Sequence, residues 1–308
     1  MPTSTLRSAL HWSSVDLPHE AATGSVALRW AEVGERGPLA VVTCGIHGDE
    51  GPWGALAVQR VLDRPLGELT GRLRVVLAAN PTAVAADRRG SPLDHLDLNR
   101  YFPGNADGSH TERLGAALTT VTEGTDALVD LHGGGSWCVN AFTFRFPGSE
   151  ALADAIGAPF VVDMPLRSGH LAGMAAERGA KVVAVEMGGR SVDELAWRDR
   201  LADGVDRVLA HVGVLTPRLP DPEAARKVEG LTVLRPSRGG VYVPTLRQDA
   251  IGTVVPEGTE LGVLHDLGTM EPVETFRAPF PETALMLLRP HVTVLEGGAM
   301  TFVVGRPA

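Results

Sequence analysis

This sequence predicts an α/β fold: a mixed, largely parallel central sheet flanked by helices, with a small C-terminal all-β domain. Three observations predict it. From Pro38 to about Val212, short apolar runs alternate with longer amphipathic segments. Several of the short runs are apolar at consecutive positions, as strands covered on both faces are. After Gly213 the helical periodicity stops, and brief apolar pieces divided by glycine and proline take over.

In chain order, "LAVVTC" (Leu39–Cys44) reads as a buried strand and "WGALAVQRVLD" (Trp53–Asp63) as a helix. "LRVVLAAN" (Leu73–Asn80) is a second strand, "RLGAALTTV" (Arg113–Val121) a helix, and "ALVDLH" (Ala127–His132) a third strand. "VNAFTFRF" (Val139–Phe146) is a strand, "SEALADAIGA" (Ser149–Ala158) a helix, "KVVAVEMG" (Lys181–Gly188) a strand, and Ser191–Val212 a long helix. The proline- and charge-rich stretch from Gly213 to Gly230 reads as a linker. It divides the chain into a catalytic α/β unit over 1–213 and a linker plus small sandwich or barrel over 214–308, the β part being roughly 80 residues. In sheets of the first kind, ligands gather beyond the carboxyl ends of the strands.

Bulk properties narrow the function. The 308 residues carry a formal net charge of -9, which argues against nucleic acid or an anionic membrane as partner. Cys44 and Cys138 are the only cysteines, too few for a disulfide scaffold, and a reducing cytoplasm is expected. The first residues lack a basic start followed by an apolar core, so no signal peptide is expected. No apolar run approaches the ~20 residues that span a bilayer. A homo-oligomer is left open.

The first strand ends in "CGIHGDEG", which sets His47, Asp49 and Glu50 at the lip of an apolar run. A carboxylate there could cap the following helix and complement its dipole. A phosphate loop is excluded, because neither glycine fingerprint is present and two acids would repel the anion. A metal site needs a further ligand at another strand end, and "LVDLHGGG" provides one in His132. Two imidazoles and one carboxylate are a set that leaves zinc an open position. Asp130 points to the same side of its strand as His132, as an orienting carboxylate or as a buried structural acid. Cys44 packs as a small buried residue, a soft ligand being the alternative.

Two further clusters carry polar chemistry. The long segment from Asn80 to Gly104 holds Arg88, Arg89, Asn99 and Arg100, and loops of that length inside a domain are usually functional when ordered. An adjacent Asn-Arg suits a carboxylate, since guanidinium binds it bidentately and the amide adds a donor. Glu186, in "VVAVEMGGR", is either a strand-end glutamate in partial contact with water or a general base. Apolar neighbours raise a carboxylate's proton affinity, which suits the second role.

Taken together, "GIHGDE", "NP…R(x7)DLNRYFPG", "DLH" and "VEMGG", in that order over roughly residues 38–190, resemble the succinylglutamate desuccinylase/aspartoacylase family of the zinc carboxypeptidase superfamily. The C-terminal stretch resembles the small β-domain that many members append. The resemblance implies one zinc ion per subunit, bound by His47, Glu50 and His132. It implies that Arg89 polarises the substrate carbonyl, with Arg88 as the alternative, that Asn99 and Arg100 hold the substrate carboxylate, and that Glu186 is the catalytic carboxylate. The implied activity is removal of an acyl group from a small anionic N-acyl amino acid or a related amide. The rivals are a metallocarboxypeptidase and a zinc-binding relative without catalysis. The C-terminal glycine pattern is also similar to that of lipoyl- and biotinyl-type carriers, but those load their cofactor on lysine and no lysine follows Lys227. Tyr242 is a sheet-packing residue, with a reach into the site as the other reading.

Overall fold

The computed structural model describes residues 4–18, 25–166, 168–190 and 194–308. The strands are β1 (His11–Pro18), β2 (Ser25–Val33), β3 (Leu39–Cys44), β4 (Arg72–Val76), β5 (Ala127–His132), β6 (Val139–Arg145), β7 (Phe160–Asp163) and β8 (Lys181–Gly188). Interleaved with them are α1 (Gly51–Leu62), α2 (Pro81–Ala86), α3 (His110–Val121), α4 (Glu150–Ala155), α5 (Leu171–Glu177) and α6 (Glu194–His211). Beyond them lie β9 (Arg226–Leu234), β10 (Gly240–Pro244), β11 (Val254–Pro256), β12 (Glu260–His265), β13 (Pro272–Arg277), β14 (Glu282–Leu288), β15 (Thr293–Leu295) and β16 (Phe302–Pro307). Among the described residues no helix is long and apolar enough to cross a membrane.

Side-chain alternation explains the layers. On β3, Ala40, Val42 and Cys44 join one core with Trp53, Ala57 and Val61 of α1 and Leu201, Val205 and Leu209 of α6. Leu39 and Val41 face the opposite core, with Leu114 and Leu118 of α3 and Leu171 and Met174 of α5. β5 and β8 divide in the same way, so both faces of the sheet centre are covered by helices.

The large sheet runs β1-β2-β4-β3-β5-β8-β6-β7-β9-β16-β14-β11, and β13-β12-β10-β15 form a second sheet. The sheet is mixed, as expected, but the expectation that it is largely parallel needs correction. Its centre, β4-β3-β5-β8, is parallel. Either side of it, β1 and β2 form an antiparallel hairpin on β4, and β6 runs antiparallel to β8. The cause on the β6 side is the short Gly133–Cys138 link, since a parallel return needs a crossover of about a dozen residues or more. On the other side, the hairpin lies in the first residues, whose outward strand β1 is exposed at nearly every position and so lacks an apolar signature. The expected strand over 73–80 stops at Val76, because Asn80 turns the chain and caps α2 through its side chain.

The C-terminal region is sheet-rich and continues the large sheet: β9 pairs with β7, and β14 pairs with β6. Tyr242, Leu264 and Phe276 of the second sheet pack against Leu285, Phe302 and Val304 of the first. Tyr242 is fully buried, with edge-on contacts to Phe276 and Phe302, and stands there as a packing residue.

Candidate metal centre

β3, β5 and β8 are parallel neighbours, so the turns after Cys44 and His132 and the end of β8 share one rim of the sheet. The turn after β3 is a tight 3-10 segment, Gly48–Glu50, leading into α1. It packs directly on α2: a Cβ at Gly48 would stand 2.0 Å from the backbone of Ala83, so only glycine fits. That contact folds His47 and Glu50 toward β5. The register pairs His132 with Glu186, which puts the expected base beside the expected ligand on adjacent strands.

His47 Nδ1 lies 2.9 Å from Glu50 Oε2, His132 Nδ1 lies 3.0 Å from the same oxygen, and the two Nδ1 atoms are 3.3 Å apart. All three residues are buried, and one ligand atom from each falls within 4.8 Å of the others. The far nitrogen of each ring is also engaged. His47 Nε2 meets Asp97 Oδ1 at 3.0 Å, and His132 Nε2 meets Asp130 Oδ2 at 3.0 Å. Thr43 donates to the other Asp130 oxygen at 2.6 Å.

These contacts fix the chemistry. Burial opposes ionisation of Asp97 and Asp130, but the hydrogen bonds and charges of His47, His132 and Arg89 outweigh it and hold both below the usual carboxylate range. An ionised carboxylate only accepts, so each Nε2 carries the hydrogen and each neutral ring turns a lone pair at Nδ1 toward Glu50. Three acceptors then converge on one buried point. Burial alone would lower the two imidazole pKa values and raise that of Glu50. Instead both imidazoles are raised, His47 by Glu50 and Asp97 and His132 chiefly by Asp130 and then by Glu50, while the two imidazoles lower Glu50. A proton relieves that convergence in part; a divalent cation held by two nitrogens and an oxygen relieves all of it, and the donor set fits zinc with a position left open.

Glu186 is held by Asn140, whose Nδ2 donates to Oε2 at 2.7 Å. Burial and the Glu50 charge push its pKa up to about 7, against the pull of His132 and the Asn140 hydrogen bond. Arg89 and Arg88 behave differently. Arg89 Nη1 donates to Glu50 Oε1 at 3.2 Å, and its other nitrogens reach Asp97 Oδ2. The Arg88 side chain is exposed and joins no ion pair among the described residues, while its carbonyl accepts from Gly48 N. Asn99 Oδ1 accepts from Leu171 N at 3.0 Å, which turns its NH2 away from that backbone. Arg100 is largely exposed, and its Nη1 donates to the Asn99 carbonyl. Cys44 is buried in the α1–α6 core, and burial pushes its thiol pKa far up, so it is a packing residue.

Two residues escaped the sequence reading. Asp97 links His47 to Arg89, yet nothing in "LDHLDLNR" says which aspartate folds back. Asn140 had a usable signal: an amide inside an apolar strand needs a partner.

With this geometry in place, comparison with known proteins is informative. The succinylglutamate desuccinylase/aspartoacylase catalytic domain family matches residues 36–212. An N-alpha-acetyl-L-2,4-diaminobutyric acid deacetylase of Halomonas elongata is 36% identical over 225 residues, covering 66% of this chain and 64% of that protein. The chain thus aligns with somewhat under two thirds of that relative's length. A crystal structure described as a succinylglutamate desuccinylase from Silicibacter superposes with a TM-score of 0.85 at 23% identity, covering 97% of this chain and 95% of that one. The product-bound ectoine utilization protein EutE (DoeB) of Ruegeria pomeroyi gives 0.84 at 25% identity, covering 96% and 94%.

Proposed function

The chain belongs to the succinylglutamate desuccinylase/aspartoacylase family, and on that premise we propose that it is a zinc-dependent amidohydrolase removing the acyl group from an N-acyl amino acid or a related small amide. The observation that carries the reading is the convergence of His47 Nδ1, His132 Nδ1 and Glu50 on one buried point, with Glu186 next to it on the neighbouring strand. The relative's named substrate, an acetylated diamino acid, belongs to the proposed substrate class.

His47, Glu50 and His132 would hold the zinc ion. When bound, zinc supplies Lewis acidity, which eases ionisation of a water molecule and polarises an amide carbonyl. Glu186, near half-ionised at neutrality, takes a proton from the attacking water and delivers it to the departing amine. Asp97 and Asp130 keep the two imidazoles in the tautomer that leaves Nδ1 free. Arg89 stands beside Glu50 to stabilise negative charge on the carbonyl oxygen, a preorganised contribution. Asn99 and Arg100 take the substrate carboxylate. In the same reading, residues 1–213 are the catalytic unit, residues 214–308 are an appended β unit, and the protein works in the cytoplasm.

Metal analysis followed by assay on a panel of N-acyl amino acids and dipeptides tests the proposal. One equivalent of zinc and turnover of acyl amino acids are expected. Release of C-terminal residues from dipeptides, with acyl amino acids untouched, would assign a carboxypeptidase instead. Metal uptake without turnover of any kind would leave a binding protein.

A further inference from the structure

The strand pairings set one polar side chain against the proposed base. β6 runs antiparallel to β8, with Phe142 opposite Glu186 and Asn140 opposite Gly188. Side chains alternate along β6, so Asn140 shares the face of Phe142 and is the diagonal neighbour of Glu186 on it. Phe142 has no hydrogen to donate there. Asn140 does, and its Nδ2 reaches Glu186 Oε2 at 2.7 Å. On its other edge β6 is bonded to β14, with Leu287 opposite Asn140. A buried amide on a strand paired along both edges has little freedom to follow a moving partner.

The amide is oriented as well as placed. An ionised carboxylate only accepts, so Asn140 turns its NH2 to Glu186 and its oxygen away. That oxygen lies 3.5 Å from Cys138 Sγ, whose hydrogen goes either to it or to the Gly134 carbonyl at 3.1 Å. The two oxygens of Glu186 are then unequal. Oε2 is engaged by an amide, which neither gives up nor takes a proton near neutrality. Oε1 has no hydrogen-bond partner among the described residues and is left for the chemistry.

We infer that Asn140 is a positioning residue for hydrolysis: it holds Glu186 by Oε2, aims Oε1 at the attacking water, and acts on the reaction only through Glu186. This rests on the amidohydrolase reading and deepens it. Oε1 takes the proton that water loses as its oxygen bonds to the acyl carbon, and returns it to the amine nitrogen as the C–N bond breaks.

The test uses zinc-loaded full-length protein and the N-acyl amino acid that wild type cleaves fastest. Asn140→Leu keeps the volume and removes the donor, whereas Asn140→Gln keeps an amide. In Asn140→Leu kcat should fall by about tenfold or more and in Asn140→Gln recover in part, with KM within about twofold of wild type in both. Added to Glu186→Gln, Asn140→Leu should cost less than about twofold in kcat, because the group it serves is already gone. Equal losses in the two backgrounds mark general damage to the sheet, and an effect confined to KM marks a substrate contact. Either result overturns the inference, as does an undiminished kcat. A second measurement requires no turnover. In protein carrying nitrogen-labelled asparagine, the side-chain amide signals of Asn140 are those missing from Asn140→Leu. One of its two protons should move upfield in Glu186→Ala, as loss of a charge-assisted hydrogen bond requires. Unmoved signals overturn the inference. A wild type that cleaves no amide counts against the amidohydrolase reading alone, and the amide signals then still decide whether Asn140 holds Glu186.

Discussion

Each imidazole at the centre is used at both nitrogens, and that arrangement makes separable predictions. Replacing Asp130 or Asp97 by Asn keeps the shape but no longer demands a hydrogen at Nε2. Zinc affinity should fall about 10- to 100-fold in either variant, as read by competition with a chromophoric chelator. Glu186→Gln should keep its zinc and lose about 10²- to 10⁴-fold in kcat; full activity in that variant removes Glu186 from the mechanism. In the proposed mechanism Glu186 acts as carboxylate, and its pKa is raised to about 7, so kcat/KM should rise with pH through an acid limb near or below that value, and Glu186→Gln should lack that limb. His47 and His132 have raised pKa values and must shed protons to bind metal, so zinc affinity should itself increase with pH. Much of this centre was legible in the sequence, because motifs that are each ambiguous alone, "GIHGDE", "DLH" and "VEMGG", occur together at the ends of successive apolar runs. Asp97 and Asn140 were not, since their roles depend on how a loop folds back and on which strand lies next to β6.

Among the elements, the parallel centre could be read from its uninterrupted apolar runs, whereas strand direction at the edges could not. Loop length decided β6, and exposure hid the β1–β2 hairpin. Helix starts were read less evenly: α4 begins within a residue of its expected start without any side-chain cap, whereas α3 begins earlier than expected. Ser109 and Glu112 close a reciprocal capping box on α3, a turn earlier than apolar periodicity alone placed the helix. Ser109→Ala should cost about 1 kcal/mol in denaturant unfolding and leave zinc binding intact. Gly48→Ala is a different matter. Its Cβ would collide with the α2 backbone, which must move or unfold, so a loss of about 2 kcal/mol or more is expected, together with weaker metal binding. Metal binding at wild-type strength in that variant would show that the α2 contact does not position the turn.

At the scale of the whole molecule, the C-terminal region is bonded into the catalytic sheet. Phe142, Phe160 and Val162 share a core with Val228, Ala284 and Met286. A chain ending at residue 213 would bare those aromatic side chains and the unpaired edges of β6 and β7, and should aggregate on expression. A monodisperse, folded fragment by gel filtration and circular dichroism would refute that expectation. The pairing of β14 with β6 also has a bearing on synthesis. His47, Glu50 and His132 leave the ribosome well before residues 282–288, so the ion can be captured by a nascent chain whose sheet is still open. The rim of the sheet beside Asn140 is completed only when the last strands close, late in translation.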